Sequence, residues 1–159
     1  QDERAPELLD RLGNVGAELL IKTLPLWITR SITAKPQSEE GTTLCQLIER
    51  EDGRIFWNDT AGDIYNHFRG LSPWPGLFTH WRRGDEGALR IKLHDLTIQK
   101  TPLATEHPAG TVLEIGEKIG IVTGYGVVFP DSLQMEGKER VQISEFIQGY
   151  PDFIGSILV

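Results

Sequence analysis

The spacing of the apolar side chains changes at residue 76, helical before it and strand-like after it, and no other feature of the sequence limits the architecture as much. Upstream, Leu8, Leu9, Leu12, Val15, Leu19, Leu20 and Leu24 recur every three or four residues, which predicts an amphipathic helix over about 6–24. Asp2 or Glu3 serves its positive end, Pro6 suits its first turn and Pro25 is expected to limit it. A lone helix cannot shelter such a stripe, so its apolar face must pack on the rest of the chain or on a domain that precedes it. A second helix is expected from about 60 to 69, capped by Asn58 or Asp59, with Ile64, Phe68 and Leu71 on one face and Gly70 and Ser72-Pro73 as the stop. Downstream, residues 77–83, 88–100, 111–115, 118–123 and 127–133 read as about five short antiparallel strands separated by Gly-containing turns. Strands of this length and spacing predict a small barrel, followed by a short helix over about 144–148 capped by Ser144 and an apolar tail over 153–159.

The polar stretch 31–43 contains Pro36 and Gly41 and follows neither period, so it reads as a linker. The expected organisation is an appended helix over 1–30, the linker, and a barrel domain over 44–159. At 159 residues the chain is long enough to bury a core, and 39% hydrophobic with 25% charged residues is the balance of a folded protein. Its apolar runs fall far short of the roughly 18 residues that suggest a membrane span, which predicts a soluble protein. An opening at Gln1, with Met135 the sole methionine, is expected of a piece of a longer polypeptide, and no signal peptide is read there. The lone Cys45 cannot pair internally, which suits a reducing compartment, and its place in the apolar run 44–48 predicts a buried filler.

Sixteen Lys and Arg against twenty-three Asp and Glu give a net charge of −7, which argues against a protein that grips nucleic acid through overall basicity. Any such contact must be local. The stretch 71–100 carries five basic and three acidic residues, and Arg82, Arg83, Arg90, Lys92 and Lys100 form one patch if the first two strands pair. On charge alone an ordinary solvated sheet face is the preferred reading of that patch. The histidines His67, His80, His94 and His107 have no metal spacing, and no nucleophile elbow or dinucleotide loop is present. In Pro73-Trp74-Pro75-Gly76 two prolines fix the backbone around a large ring, which predicts a buried structural bolt, with stacking on a ligand as the alternative.

Taken in order, the helix, the linker, Arg54-Ile55-Phe56-Trp57, the helix ending in Arg69-Gly70-Leu71-Ser72 and then Pro73-Trp74-Pro75-Gly76 resemble the C-terminal part of the methionyl-tRNA formyltransferase family. Pro108-Ala109-Gly110-Thr111-Val112, Ile121-Val122-Thr123-Gly124-Tyr125-Gly126 and the run Leu133-Gln134-Met135-Glu136-Gly137-Lys138 are similar to later stretches of the same family, so the likeness covers nearly the whole chain. Two places depart from the family pattern: Gln46-Leu47-Ile48-Glu49 replaces a lysine-rich approach, and Phe56 stands where an acid is usual.

The resemblance implies a fold that is mainly β with helices, an OB-like barrel preceded by the last helix of a Rossmann-like catalytic domain. It further implies an enzyme that moves a formyl group from 10-formyltetrahydrofolate to the amino group of methionyl initiator tRNA, in the bacterial cytoplasm or the mitochondrial matrix. None of the family's catalytic residues maps onto this chain, so the chain by itself is predicted inactive and without a cofactor, and its task is to hold tRNA. For that task Arg50, Arg54, Arg82, Arg83, Arg90, Lys92, Lys138 and Arg140 are the candidate phosphate contacts, and Trp57 with Pro73, Trp74, Pro75 and Gly76 the structural junction. The expected partners are initiator methionyl-tRNA and the catalytic domain, with no membrane, and the first helix is a candidate for self-association. The competing expectations are the C-terminal domain of a sugar-nucleotide or other formyltetrahydrofolate enzyme, and an interaction module without enzymatic ancestry.

Overall fold

The computed structural model describes residues 2–84, 87–103 and 106–159. The chain divides into two compact units, residues 1–48 and 49–159.

The first unit holds helix α1, Ala5–Ile28, in which no residue is buried. Its start is fixed by the Glu7 carboxylate, which accepts the Arg4 backbone N–H at 2.9 Å, rather than by Asp2 or Glu3. The helix runs through Pro25, where the sequence predicts its end. A proline removes one N–H and crowds the turn before it but leaves the downstream carbonyls free to accept. Here the carbonyl of Pro25 takes both the Thr29 N–H and the Thr29 hydroxyl. The stop comes at Arg30, whose φ of 57° turns the chain so that Arg30 and Ser31 donate back to Trp27 and Leu26. Residues 32–48 form no helix or strand. The expected burial of Cys45 is corrected: Cys45, Leu44 and Leu47 are all exposed. Their run falls outside the barrel unit, so it has no core to enter.

The second unit opens with a 3-10 turn, Arg50–Gly53, and helix α2, Ala61–Gly70. The cap of α2 is Thr60, not Asn58 or Asp59, and its hydroxyl accepts from the backbone N–H of Asp63 at 3.1 Å. Ala61, Ile64 and Phe68 form the buried face of this helix. Six strands follow: β1 Leu77–Arg82, β2 Ala88–Gln99, β3 Val112–Ile115, β4 Lys118–Val122, β5 Val127–Met135 and β6 Arg140–Gln142. All pairings are antiparallel, in the order β1-β2-β5-β4-β3, with β6 added to β5 beyond β4. Helix α3, Ile143–Gly149, starts from Gln142 without a side-chain cap, so the expected role of Ser144 is also corrected.

In β2 the inward phase holds for Ile91 and Leu93 and then moves to Leu96, with Asp95 between them at a φ of 43°. The register with β5 is the same on either side of Asp95, Leu93 standing opposite Leu133 and Leu96 opposite Pro130, so the strand coils without slipping. The β4–β5 turn closes on Gly126, at a φ of 95°, whose carbonyl accepts the Thr123 N–H.

The two free edges of the sheet are joined by residues 156–159. Leu158 bridges Trp81 on β1, and Ile157 bridges Thr111 beside β3. His80 and Val159 exchange two backbone bonds at 2.8 and 2.9 Å, and Val112 donates to Ser156 at 2.9 Å. Gly110 permits this approach, since a Cβ there would stand 2.4 Å from the Leu158 carbonyl oxygen. The result is a small closed sheet of the OB-like kind, with Leu77, Ile91, Val112, Ile121, Val128 and Leu133 in its interior. Trp57 is buried against it, donating its indole N–H to Thr79 at 2.9 Å. At one end Trp81 meets Phe146, Tyr150 and Phe153 with ring centroids 5.2–6.3 Å away.

Candidate functional site

Antiparallel pairing of β1 with β2 sets Phe78 opposite Lys92 and His80 opposite Arg90. Because side chains alternate along a strand, these four share one face of the sheet. The Arg90 guanidinium lies 3.6 Å from the centroid of the Phe78 ring, held by a cation–π contact instead of a carboxylate. Its Nε and Nη2 are shut away from solvent with no hydrogen-bond partner among the described residues. Lys92 donates its ammonium to the carbonyl of Pro75 at 3.3 Å, tying the strand to the proline-rich corner.

That corner is shaped by two cis peptide bonds, Ser72–Pro73 and Trp74–Pro75. Pro75 is fully buried, and Gly76 turns back so that its N–H reaches the Leu71 carbonyl at 2.9 Å. Trp74 behaves differently from the buried bolt expected from sequence: its side chain is 59% exposed. The prolines on both sides fix the backbone, and the burial of Pro75 leaves the neighbouring ring pointing outward. The turn carrying Arg50 packs against the same corner, since Gly53 sits so close that an added Cβ would be 2.1 Å from the Gly76 carbonyl oxygen.

These pieces enclose a cavity of about 370 Å³ lined by Arg50, Trp74, Arg90, Lys92, Gln134 and Glu136, with Pro75, Met135 and Gly137 completing its walls. Three cations therefore face one carboxylate in a chain whose net charge is −7. Gln134 is hydrogen-bonded at both ends of its amide: its oxygen accepts from His94 Nε2 at 3.1 Å and its nitrogen donates to the Lys138 carbonyl at 3.0 Å. Burial is the main reason that the His94 imidazole titrates below the ordinary 6.5, opposed by the Gln134 bond and aided by the nearby Arg140 and Lys92 charges.

A depressed histidine pKa means that the unfolded chain binds more protons than the folded one below about pH 6.5. Stability linked to His94 is therefore present above that pH and lost as pH falls through the lowered value. The urea midpoint of the native chain is expected to drop between pH 7.5 and 5 more than that of His94→Gln, and equal drops in the two would refute the assignment.

The other nominated cations lie elsewhere. Arg83 pairs with Asp152 at 2.7 Å and lies over the Trp81 and Tyr150 rings. Its hydrogen bond is the main cause of a lowered Asp152 carboxyl pKa. Lys138 donates to the Tyr150 hydroxyl, and Arg140 donates to Ser132 at 2.8 Å and pairs with Asp95. Arg54 lies over the exposed Phe56 ring at 5.9 Å and Arg82 is exposed on β1. The single sheet patch read from the sequence is thus divided, with Arg90 and Lys92 joined by Arg50 at the cavity and Arg83 drawn to the aromatic end. Sequence reasoning did not place Gln134 and Glu136 in the site. The signal for them lay in Gln134 standing two residues before a glycine turn, opposite the basic positions of β2.

Fold and site together define an antiparallel barrel domain with a cationic cavity where a helix leads into the first strand. The chain belongs to the formyl transferase C-terminal domain family, whose model matches residues 47–151. It is 37% identical over 149 residues to the methionyl-tRNA formyltransferase of Parvibaculum lavamentivorans, covering 94% of this chain and 46% of that protein. The corresponding enzyme of Rickettsia bellii is 37% identical over 144 residues, covering 91% of this chain and 44% of its own length. The chain thus spans a little under half the length of these relatives. Among solved structures, a variant of HypX from Aquifex aeolicus superimposes with a TM-score of 0.64 at 16% identity, over 97% of this chain and 27% of that one. HypX in complex with tetrahydrofolic acid gives a TM-score of 0.56 at 17% identity, over 86% of this chain and 23% of that one. At such identities the likeness speaks for the fold alone.

Proposed function

We propose that this chain is the tRNA-holding part of a methionyl-tRNA formyltransferase, acting in translation initiation, with formyl transfer performed by a catalytic domain outside it. In this reading 10-formyltetrahydrofolate is the co-substrate of the whole enzyme, and its formyl group passes to the amino group of methionyl initiator tRNA. The setting is the bacterial cytoplasm or the mitochondrial matrix, and no helix among the described residues is long and apolar enough to cross a membrane. Helix α1, whose Leu9, Leu19 and Ile21 are more than half exposed, is the element that docks on the catalytic domain or on a second copy of itself.

The observation that carries this reading is the convergence of Arg50, Arg90 and Lys92 on one cavity in an acidic chain. Each phosphate neutralised by such a cation releases counterions, which gives affinity and makes it fall with salt. Arg54 and Arg82 extend the basic surface. Arg83, Lys138 and Arg140 already have partners within the fold and contribute less. What the domain supplies is orientation, since transfer requires the amine and the formyl donor in near-attack geometry.

Binding to initiator tRNA across a salt series tests it. The logarithmic slope is expected to flatten by roughly 0.9 when Arg90→Gln and Lys92→Gln are introduced together, since the two cations converge on one phosphate. Absence of binding at low salt would sink the proposal. So would formylation by the whole enzyme of an amino-sugar nucleotide in place of tRNA.

A further inference from the structure

We infer that the cavity beneath Trp74 is a pocket for one unpaired nucleotide of the bound RNA, its base stacked on the Trp74 indole and its phosphate held by Arg90, Lys92 and Arg50. The inference rests on the tRNA-holding reading and adds to it what form of RNA this site takes.

Three observations carry it. Trp74 is exposed yet rigidly presented between two prolines, so an aromatic face stands ready at the cavity rim with little ordering left to do. Arg90 is pinned on Phe78 and lines the cavity with Lys92 and Arg50 against the single carboxylate of Glu136, so the cations are in excess there and an anion in the cavity would answer them. The site is also concave. Its volume of about 370 Å³ suits a small organic group and lies within the range of ligand pockets, at roughly 300–1,000 Å³.

A paired helix cannot satisfy all three. Within a duplex the faces of the bases are covered by their neighbours and only phosphates and groove edges are presented, so away from the two ends an indole has nothing to stack on. An unpaired nucleotide offers a free face and a phosphate a few ångströms away, the combination that single-strand binding sites use. Gln134 is held in place by one bond at each end of its amide, to His94 and to the Lys138 carbonyl. Stacking itself tolerates any of the four bases, since each has a π-face.

The test is binding of this chain to initiator tRNA, to a short single-stranded RNA and to a blunt RNA duplex of equal charge, with Trp74→Ala and Trp74→Phe. Trp74→Ala is expected to weaken tRNA and single-stranded RNA about tenfold, the ordinary worth of one stacked base, without changing the salt slope. Trp74→Phe should keep most of the affinity, the duplex should be indifferent to either change, and thermal unfolding should be unmoved because the ring is exposed. A silent Trp74→Ala, or an equal loss on the duplex, overturns the pocket while leaving phosphate tracking by the arginines intact. Adenosine monophosphate binding as tightly as the strand would overturn it in favour of a free nucleotide. Failure of every RNA to bind at low salt removes both this inference and the reading beneath it.

Discussion

Trp81→Ala is expected to cost the barrel unit about 3–5 kcal/mol, the usual range for emptying an aromatic core site. Trp81 is 1% exposed and stands where β1, α3 and the Pro151–Phe153 turn meet, edge-on to Phe153 at 5.2 Å. Removing the indole leaves Phe146 and Phe153 facing a void that the rigid barrel cannot collapse to fill. The same side chain supports Arg83, whose guanidinium lies 5.5 Å from its ring, so the Arg83–Asp152 pair should loosen with it. Denaturant midpoints of the native and variant chains give the measurement, and Trp81→Phe should recover a large part of the loss. A cost below about 1 kcal/mol would mean that this aromatic end is far more plastic than close packing allows. The contrast with Trp74 is itself informative, because removing that exposed ring is expected to change binding and leave stability alone.

Gly53→Ala should destabilise by about 1–3 kcal/mol and at the same time weaken RNA binding. The reason is steric: the new methyl would meet the backbone carbonyl of Gly76 at 2.1 Å and Pro75 Cγ at 3.3 Å, and a backbone atom cannot step aside as a flexible side chain can. Either the turn carrying Arg50 or the corner carrying Trp74 has to move, and both line the cavity. Affinity should therefore fall more than in Arg50→Gln, which removes one cation and leaves the walls in place. Unchanged stability with unchanged affinity would show that the two segments are not in contact in solution.

Most of the barrel was legible because its strands alternate and its turns carry glycine, and the bounds of β1 and β2 fell within a residue of expectation. Strand β6 was not, since three residues between a glycine turn and a helix are too few to show a period. Caps were read less well. Thr60 caps α2 instead of Asn58 or Asp59 because its extended backbone is tied to Tyr125 just before the helix begins, and Pro25 is absorbed because the turn after it has acceptors to use. Cys45 and Trp74 were misjudged for one reason: apolar composition does not say whether a residue has a core within reach. At the candidate site, Arg90 and Lys92 are nominated by the basic stretch 71–100 and Arg50 by its place near the linker. Only the fold shows that they share a cavity while Arg83, Lys138 and Arg140 turn to partners of their own.

Residues 156–159 act as the closing stave of the barrel, pairing with β1 on one side and with the segment before β3 on the other. During synthesis β1 is therefore made with an edge that must wait for its neighbour. At about 5–20 residues per second, the delay between residues 82 and 159 is on the order of ten seconds. Throughout that interval β1 presents backbone groups and the indole of Trp81 to whatever is nearby, the condition in which nascent sheets pair wrongly. The nascent chain should consequently be a client for chaperones until residues 156–159 reach β1, and its barrel resistant to proteolysis from then on.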